Sequence, residues 1–166
     1  MKVVKDIIED DTTEKIIIGI GSAQYSRTAE NPFSYSERKE MIKIALKDAG
    51  ISPKQYELVA IPDIHNDSLW VGHVESACPK FDVIYTGNPL VKDLFRKAGH
   101  IARDIVLYKN INSTTIRRMM IQGMKSEWKK LVPNAVAYYL DDIDSEKILK
   151  SIKDSQAAGT AKEDTE

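Results

Sequence analysis

Continuous runs of β-branched and aliphatic residues recur along the chain at intervals. The run Ile16-Ile17-Ile18-Gly19-Ile20-Gly21 ends in glycine and is typical of a strand that is buried on both faces of a parallel sheet. Similar runs at residues 56–61, 81–86 and 101–108 predict three more strands, and Pro62 stops the first of these.

Apolar residues recur at helical spacing before, between and after these strands. Residues 3–8 predict a short amphipathic helix, and Ser34 with Glu37 forms a capping-box pattern that starts a longer one. Asn88 followed by Pro89 gives an N-cap with proline at the first helical position. Further helices are predicted at residues 68–77, 89–97, 114 onward, 134–140 and 145–152.

The alternation of strands and helices predicts an α/β fold with a mostly parallel sheet and helices on both of its faces. No internal repeat or linker divides the chain, so we expect one α/β domain at residues 1–153. Residues 154–166 carry no large apolar side chain, and this composition predicts a disordered tail.

The composition argues against nucleic acid and membranes as binding partners of the protein. The 166 residues are 42% hydrophobic and have a formal net charge of -1, so the basic excess of a nucleic-acid-binding protein is missing. No apolar run is long enough to cross a bilayer, and the opening MKVVKDIIED is too charged for a signal peptide. Cys78 is the single cysteine, which excludes an internal disulfide. We therefore expect a cytoplasmic protein with neither a nucleic-acid nor a membrane partner.

Polar segments follow the predicted strands, at residues 21–24, 63–66, 87–88 and 112–114. In open α/β sheets the ligand crevice lies beyond the carboxyl ends of the strands, so these loops predict a binding site. Thr114 is expected to cap a helix, and Arg117 one turn later can hold phosphate with two hydrogen bonds. Ordinary helices also begin with threonine and an early arginine, so this segment alone does not define a site.

These segments together resemble the archaeal-type nicotinamide-nucleotide (NMN) adenylyltransferases of the nucleotidyltransferase superfamily. The resemblance covers residues 3–143. The matching stretches are Gly21-Ser22-Ala23-Gln24, Thr28-Ala29-Glu30-Asn31-Pro32-Phe33 with Glu37-Arg38, Pro62-Asp63-Ile64-His65-Asn66 with Trp70 and His73, Tyr85-Thr86-Gly87-Asn88-Pro89-Leu90-Val91, and Ser113-Thr114 with Arg117.

The resemblance implies a Rossmann-like fold and an enzyme that joins NMN to the AMP moiety of ATP, with release of pyrophosphate, in NAD biosynthesis. It implies a magnesium ion bound through the substrate rather than in a cage of protein ligands, and a homo-oligomer. The residues implied at the NMN side are Ser22, Gln24, Asp63, Asn66 and Trp70. Those implied at the ATP side are Gly87, Asn88, Ser113, Thr114 and Arg117. Arg38 and Arg117 are the implied catalytic residues, because both can reach phosphate.

Alternative interpretations remain for several of these residues. Trp70 is also compatible with a core aromatic, although its place at a polar loop-to-helix junction favours stacking on a ligand. Arg38 on an isolated helix would more often be a solvated charge. His65 and His73 are eight positions apart in different surroundings, which does not predict a metal site, and we expect His73 to be structural.

The family's first strand, which is central in its sheet, and the H-x-G-H motif that follows it have no counterpart in this sequence. We therefore expect two buried-type strands with unpaired edges. A start assigned too late is our interpretation, since the residues downstream are family-like. The alternatives are a split protein that receives the strand from another chain, and a homologue that binds nucleotide without turnover. Arg27 and the pair Asn112-Ser113 depart from the family pattern and favour the last of these.

Overall fold

The structure is a computed structural model that describes residues 2–10, 13–105 and 111–163, with side chains described as far as residue 157. Two compact units make up the chain, residues 1–24 with 49–110 and residues 25–48 with 111–166. The assignment of residues 1–153 to one domain therefore stays a prediction.

The first unit is an α/β assembly of parallel strands. It begins with helix α1 (Lys2–Ile8), and strand β1 (Ile16–Gly21) pairs in parallel with β2 (Tyr56–Ile61). Strand β3 (Val83–Thr86) pairs in parallel with β4 (Ile101–Asp104). Helices α3 (Asp67–Ala77) and α4 (Pro89–Lys97) follow β2 and β3 in the chain. This order confirms the predicted α/β class.

One hydrophobic cluster holds these strands and helices together. Its buried members are Ile61, Val74, Phe95 and Ala102, which come from β2, α3, α4 and β4. Phe95 is fully buried and makes ring contacts with Phe81 and His100. Both strand pairs thus contribute to a common core, and the apolar sequence runs are explained by its burial.

Each strand keeps one open edge in the part of the chain that the structure describes. β1 pairs with β2 alone, and β3 pairs with β4 alone, so the described strands form two sheets of two strands. The unpaired strand edges that we expected are therefore present at β1 and β3. Half of the backbone N–H and C=O groups of β1 and β3 point away from their one partner strand.

The second unit is helical. It contains α2 (Tyr35–Asp48), α5 (Ser113–Ile121), α6 (Lys125–Trp128), α7 (Asn134–Asp142) and α8 (Ser145–Glu163). Its core consists of Ala45, Met120, Trp128, Val136, Ala137, Leu140 and Leu149. The fully buried Trp128 indole donates to Glu146 Oε1 at 3.1 Å, which satisfies its polar atom inside this core.

The predicted elements differ from the structure mainly at their ends. The last helix, α8, begins at Ser145 as predicted but continues to Glu163, past residue 154, where we predicted a disordered tail to begin. The strand predicted at residues 101–108 ends at Asp104, and its part at 106–108 lies outside the described residues. Within the described part of the chain, no helix combines the length and the hydropathy that crossing a membrane requires.

Candidate functional site

The loops that follow β1 and β2 are joined by the side chain of Gln24. Its Nε2 donates to the backbone oxygen of Asp63 at 2.7 Å, and its Oε1 accepts from the backbone nitrogen of Asp63 at 2.9 Å. Strand pairing places Gly21 opposite Ile61, and the backbone N–H of Ala23 still reaches Ile61 O at 3.3 Å. Two of the residues predicted at the NMN side are thus brought together at the carboxyl ends of neighbouring parallel strands.

The turn at residues 62–66 is held by three further contacts. His73 Nε2 donates to Pro62 O at 2.9 Å, which fixes the tautomer of the ring. The backbone nitrogen of His65 donates to Asp63 Oδ1 at 2.9 Å, and His65 itself has a positive φ of 49°. Asn66 Oδ1 accepts from Ser68 N at 3.1 Å and caps α3. His73 is therefore the structural histidine that the sequence predicted.

Trp70 lies in the first turns of α3 and is partly buried. Its side chain packs against the hydrophobic cluster of the first unit, and its ring is tilted at 42° to that of His73, 5.8 Å away. The indole Nε1 is buried, with no hydrogen-bond partner among the described residues. A buried donor without a partner costs free energy, so this atom is suited to receive an acceptor from a ligand or from water. Trp70 therefore combines a core contact with an unused donor.

The turn after β3 carries the predicted pair Gly87 and Asn88. Asn88 caps α4, since its side-chain oxygen accepts from Leu90 N at 3.0 Å and from Val91 N at 3.4 Å. Its own backbone N–H donates to Thr86 Oγ1 at 3.1 Å. The prediction of an asparagine cap followed by proline is confirmed, and both residues are exposed at the helix start.

The segment of the second unit that is predicted to bind phosphate begins differently from our prediction. Asn112, not Thr114, caps α5, because Asn112 Oδ1 accepts from Thr115 N at 2.8 Å. Asparagine caps as well as a hydroxyl does, and the helix consequently starts one residue earlier, at Ser113. Thr114 lies inside the first turn, where its Oγ1 is 3.5 Å from Arg117 Nη2. Ser113, Thr114 and Arg117 are thus grouped on the first turn and a half of one helix.

Arg38 lies on α2 next to an ion pair that no sequence pattern indicated. Arg27 donates from Nη1 to Glu37 Oε2 at 2.7 Å and from Nη2 to Oε1 at 2.6 Å. The same carboxylate accepts from Ser34 N at 2.7 Å, and the Ser34 hydroxyl accepts from Glu37 N at 3.2 Å, so the predicted capping box is confirmed. Hydrogen bonding to Arg27 lowers the pKa of Glu37 to about 2.

Arg38 itself is partly buried, and this burial lowers the pKa of its guanidinium from the ordinary value. A fully solvated surface arginine would not show such a loss of hydration. Arg38, Ser113, Thr114 and Arg117 belong to the second unit, whereas Ser22, Gln24, Asp63, Asn66, Trp70, Gly87 and Asn88 belong to the first.

The histidines of the chain are occupied in structural contacts or lie on the exposed turn. His100 Nε2 is 2.8 Å from Glu75 Oε1, and its ring stacks on Phe81 at 5.5 Å. Within residues 2–10, 13–105 and 111–163 there is no group of three or more His, Cys, Asp and Glu side chains that could hold a metal ion.

Parallel strand pairs followed by capped helices are typical of α/β folds that bind ligands at the carboxyl ends of their strands. The cytidylyltransferase-like family matches residues 1–119, so the chain is an α/β protein of that class. The nicotinamide-nucleotide adenylyltransferase of Picrophilus torridus is 42% identical over 157 residues, which cover 93% of this chain and 89% of the relative. That of Pyrococcus furiosus is 46% identical over 136 residues, which cover 80% of this chain and 71% of the relative. The chain belongs to the nicotinamide-nucleotide adenylyltransferase family.

Solved structures agree on the fold. A bifunctional NMN adenylyltransferase/ADP ribose pyrophosphatase from Francisella tularensis superposes with a TM-score of 0.68 at 18% identity, over 90% of this chain. A second structure from that organism, described as a complex with AMP and a manganese ion, gives a TM-score of 0.63 at 22% identity. This chain spans about half the length of these bifunctional proteins, 47% and 43% respectively.

Proposed function

We propose that this chain transfers the adenylyl group of ATP to nicotinamide mononucleotide, and so forms NAD and pyrophosphate. The observation that carries this proposal is the turn at residues 62–66, which Gln24 and His73 hold in place. The ring of His73 also contacts the partly buried Trp70, whose indole donor is unused. Family membership supplies the reaction class.

The NMN side is proposed to lie in the first unit. The Trp70 ring would stack on the pyridine, while Asp63 and Asn66 would bind the carboxamide or the ribose. Asp63 has one carboxylate oxygen that is not used by the His65 backbone, and Asn66 uses only its oxygen in capping α3. Ser22 and Gln24 would border the same side. These groups could bind nicotinic acid mononucleotide as well, so both nucleotides belong in the test.

ATP is proposed to bind at the N-terminal ends of helices α4 and α5. Gly87 and Asn88 would line the adenosine site at the start of α4. In the second unit, Ser113, Thr114 and Arg117 would bind the β- and γ-phosphates, because free N–H groups and a guanidinium in the first turns of a helix favour anions. Arg38 would supply a second guanidinium to phosphate.

The reaction needs alignment and charge neutralisation more than covalent participation by the protein. An oxygen of the NMN phosphate bonds to the α-phosphorus of ATP, the bond from that phosphorus to the bridging oxygen breaks, and pyrophosphate leaves. The two arginines would reduce the charge repulsion between the anions. A magnesium ion carried by ATP would be coordinated mainly by phosphate and water oxygens. Such an ion would neutralise phosphate charge.

The test combines binding with turnover. Calorimetry with NMN, nicotinic acid mononucleotide and ATP measures affinity, and chromatography measures NAD formed from ATP, NMN and magnesium. Of the two tryptophans, only the partly exposed Trp70 should respond to NMN, since Trp128 is fully buried. We expect NMN to quench the fluorescence of the unmodified chain but not that of the Trp70→Phe variant. Absence of NMN binding to the unmodified chain would refute the proposal.

A second candidate is a nucleotide-binding protein without turnover. The structural contacts of the histidines favour it. The sequence contains three, and His73 and His100 bind Pro62 O and Glu75 while His65 lies on the exposed turn. Binding of NMN with no NAD formed would support this candidate. The expected homo-oligomer is tested separately by light scattering.

A further inference from the structure

We infer that Gln24 is a positioning residue, which sets the conformation of the 62–66 turn for the pyridine nucleotide and does so through the backbone of Asp63. The inference rests on the proposed function for the identity of the ligand. It assigns Gln24 a role distinct from that of a direct ligand contact.

The geometry of the contact resembles one more step of strand pairing. The register of β1 and β2 ends at Gly21 opposite Ile61, and the Ala23 N–H adds one hydrogen bond at 3.3 Å. Beyond it, the carboxamide of Gln24 offers one donor and one acceptor to the two backbone groups of Asp63. A carboxamide has the same donor and acceptor pair as a peptide group, so the side chain takes the place of a strand residue.

The turn needs support at this point. His65 occupies the left-handed region with φ of 49°, which residues other than glycine adopt uncommonly and at a cost in free energy. Pro62 is held by His73, and Asn66 is held by its cap on α3. The backbone of Asp63 lies between these two fixed points, and Gln24 is the contact that ties it to the loop after β1.

The position of the turn decides where the ligand-binding groups are presented. The Asn66 amide nitrogen and one Asp63 carboxylate oxygen have no hydrogen-bond partner among the described residues. Both belong to the segment that Gln24 holds. Because contacts to small ligands fall off steeply with displacement, loosening Asp63 should weaken binding of the pyridine nucleotide and leave ATP binding unchanged.

The experiment compares Gln24→Met with Gln55→Met in the full chain. Methionine keeps the length of the side chain and removes both hydrogen bonds. Gln55 is the matched control, since its Oε1 also accepts a backbone N–H, that of Ser52 at 2.9 Å, but outside the turn. Two sets of measurements are made for each chain: hydrogen exchange of the backbone amides of residues 63–66 without ligand, and the Kd, KM and kcat with NMN and with ATP.

We expect Gln24→Met to speed exchange in the 62–66 turn and to raise the Kd and KM for NMN about tenfold, with the ATP values and kcat within about twofold. Gln55→Met should leave all of these as in the unmodified chain. Unchanged exchange in the turn, or equal losses for NMN and ATP, would overturn the positioning role. If the unmodified chain fails to bind NMN, the proposed function falls and the ligand assignment with it, while the exchange measurement still decides whether Gln24 holds the turn.

Discussion

Arg27 and Glu37 face each other with both guanidinium nitrogens paired to both carboxylate oxygens, at 2.7 and 2.6 Å. Since Arg27 lies in the loop before α2 and Glu37 in the first turn of that helix, the pair links the loop to the helix. Arg27 Nη1 also donates to Pro32 O at 2.9 Å, within the loop. Glu37 is the better shielded partner, with 17% of its side chain exposed against 47% for Arg27.

The pair predicts a specific dependence of stability on pH. The pKa of Glu37 is lowered from 4.5 to about 2 by its hydrogen bonds to Arg27, so its contribution is complete above pH 4.5 and is lost as the pH falls towards about 2. We expect Glu37→Gln to lower the free energy of unfolding by ~1–2 kcal/mol at pH 6, a value reduced for the exposure of Arg27, and by less at pH 3. Urea titration at the two pH values measures this.

Glutamine still caps the helix at this position, so the substitution tests charge rather than capping. Glu40→Gln, one turn later on α2, is the control, since Glu40 has only a 3.9 Å contact to Lys43. An equal loss for Glu37→Gln at both pH values would contradict the expected ionisation.

Arg117 is expected to bind triphosphate, and its neighbour Arg118 provides the comparison. On the proposed function, Arg117→Ala should weaken ATP binding about ten- to a hundredfold, because a charge-assisted contact to phosphate is lost. Arg118→Ala removes an exposed guanidinium from the same helix and should change the affinity less than twofold. Calorimetry with ATP measures the affinity of both variants. Similar losses of ATP affinity in the two variants would argue against a defined phosphate contact at Arg117.

The cap of α5 gives a prediction about stability. Asn112→Ala should lower the free energy of unfolding by about 1 kcal/mol, because the N–H of Thr115 loses its acceptor. Thr114→Ala lies inside the first turn and should cost less. Thermal unfolding measured by circular dichroism compares the two variants. A larger loss of stability for Thr114→Ala than for Asn112→Ala would indicate that Thr114, not Asn112, caps the helix.

Cys78 should react slowly with thiol reagents. Burial raises the pKa of its thiol, and the charge of Glu57 adds to the effect, so little thiolate is present at neutral pH. Alkylation by iodoacetamide at pH 7.5 is expected to be about tenfold slower in the folded chain than in urea. Equal rates in the two conditions would show that the thiol is more accessible than its half-buried position indicates.

Local patterns predicted the elements of this fold well, because local forces determine them. The capping box at Ser34 and Glu37 and the cap at Asn88 involve residues two or three positions apart, and both are present. The N-cap of α5 was assigned wrongly because Asn112, Ser113 and Thr114 are all good capping residues, and the choice among them depends on the backbone of the preceding loop.

The contacts that shape the candidate site were harder to predict. Gln24 and Asp63 are 39 positions apart, and their pairing depends on the register of β1 with β2. No short sequence motif indicates this register. Arg27 and Glu37 required the path of the loop between them. The sequence did indicate Gln24 and Asp63 as candidates through the resemblance, but it could not show that one holds the other. The roles of the candidate residues in binding stay predictions.

The open edges of β1 and β3 have a practical consequence for work with this chain. In the described part of the molecule, neither edge has a partner strand, and both carry β-branched or aromatic side chains, the combination that recruits strands from other copies. Self-association should therefore rise with concentration and with time in storage. Dilute handling and early size-exclusion chromatography would keep this association from being mistaken for a defined oligomer.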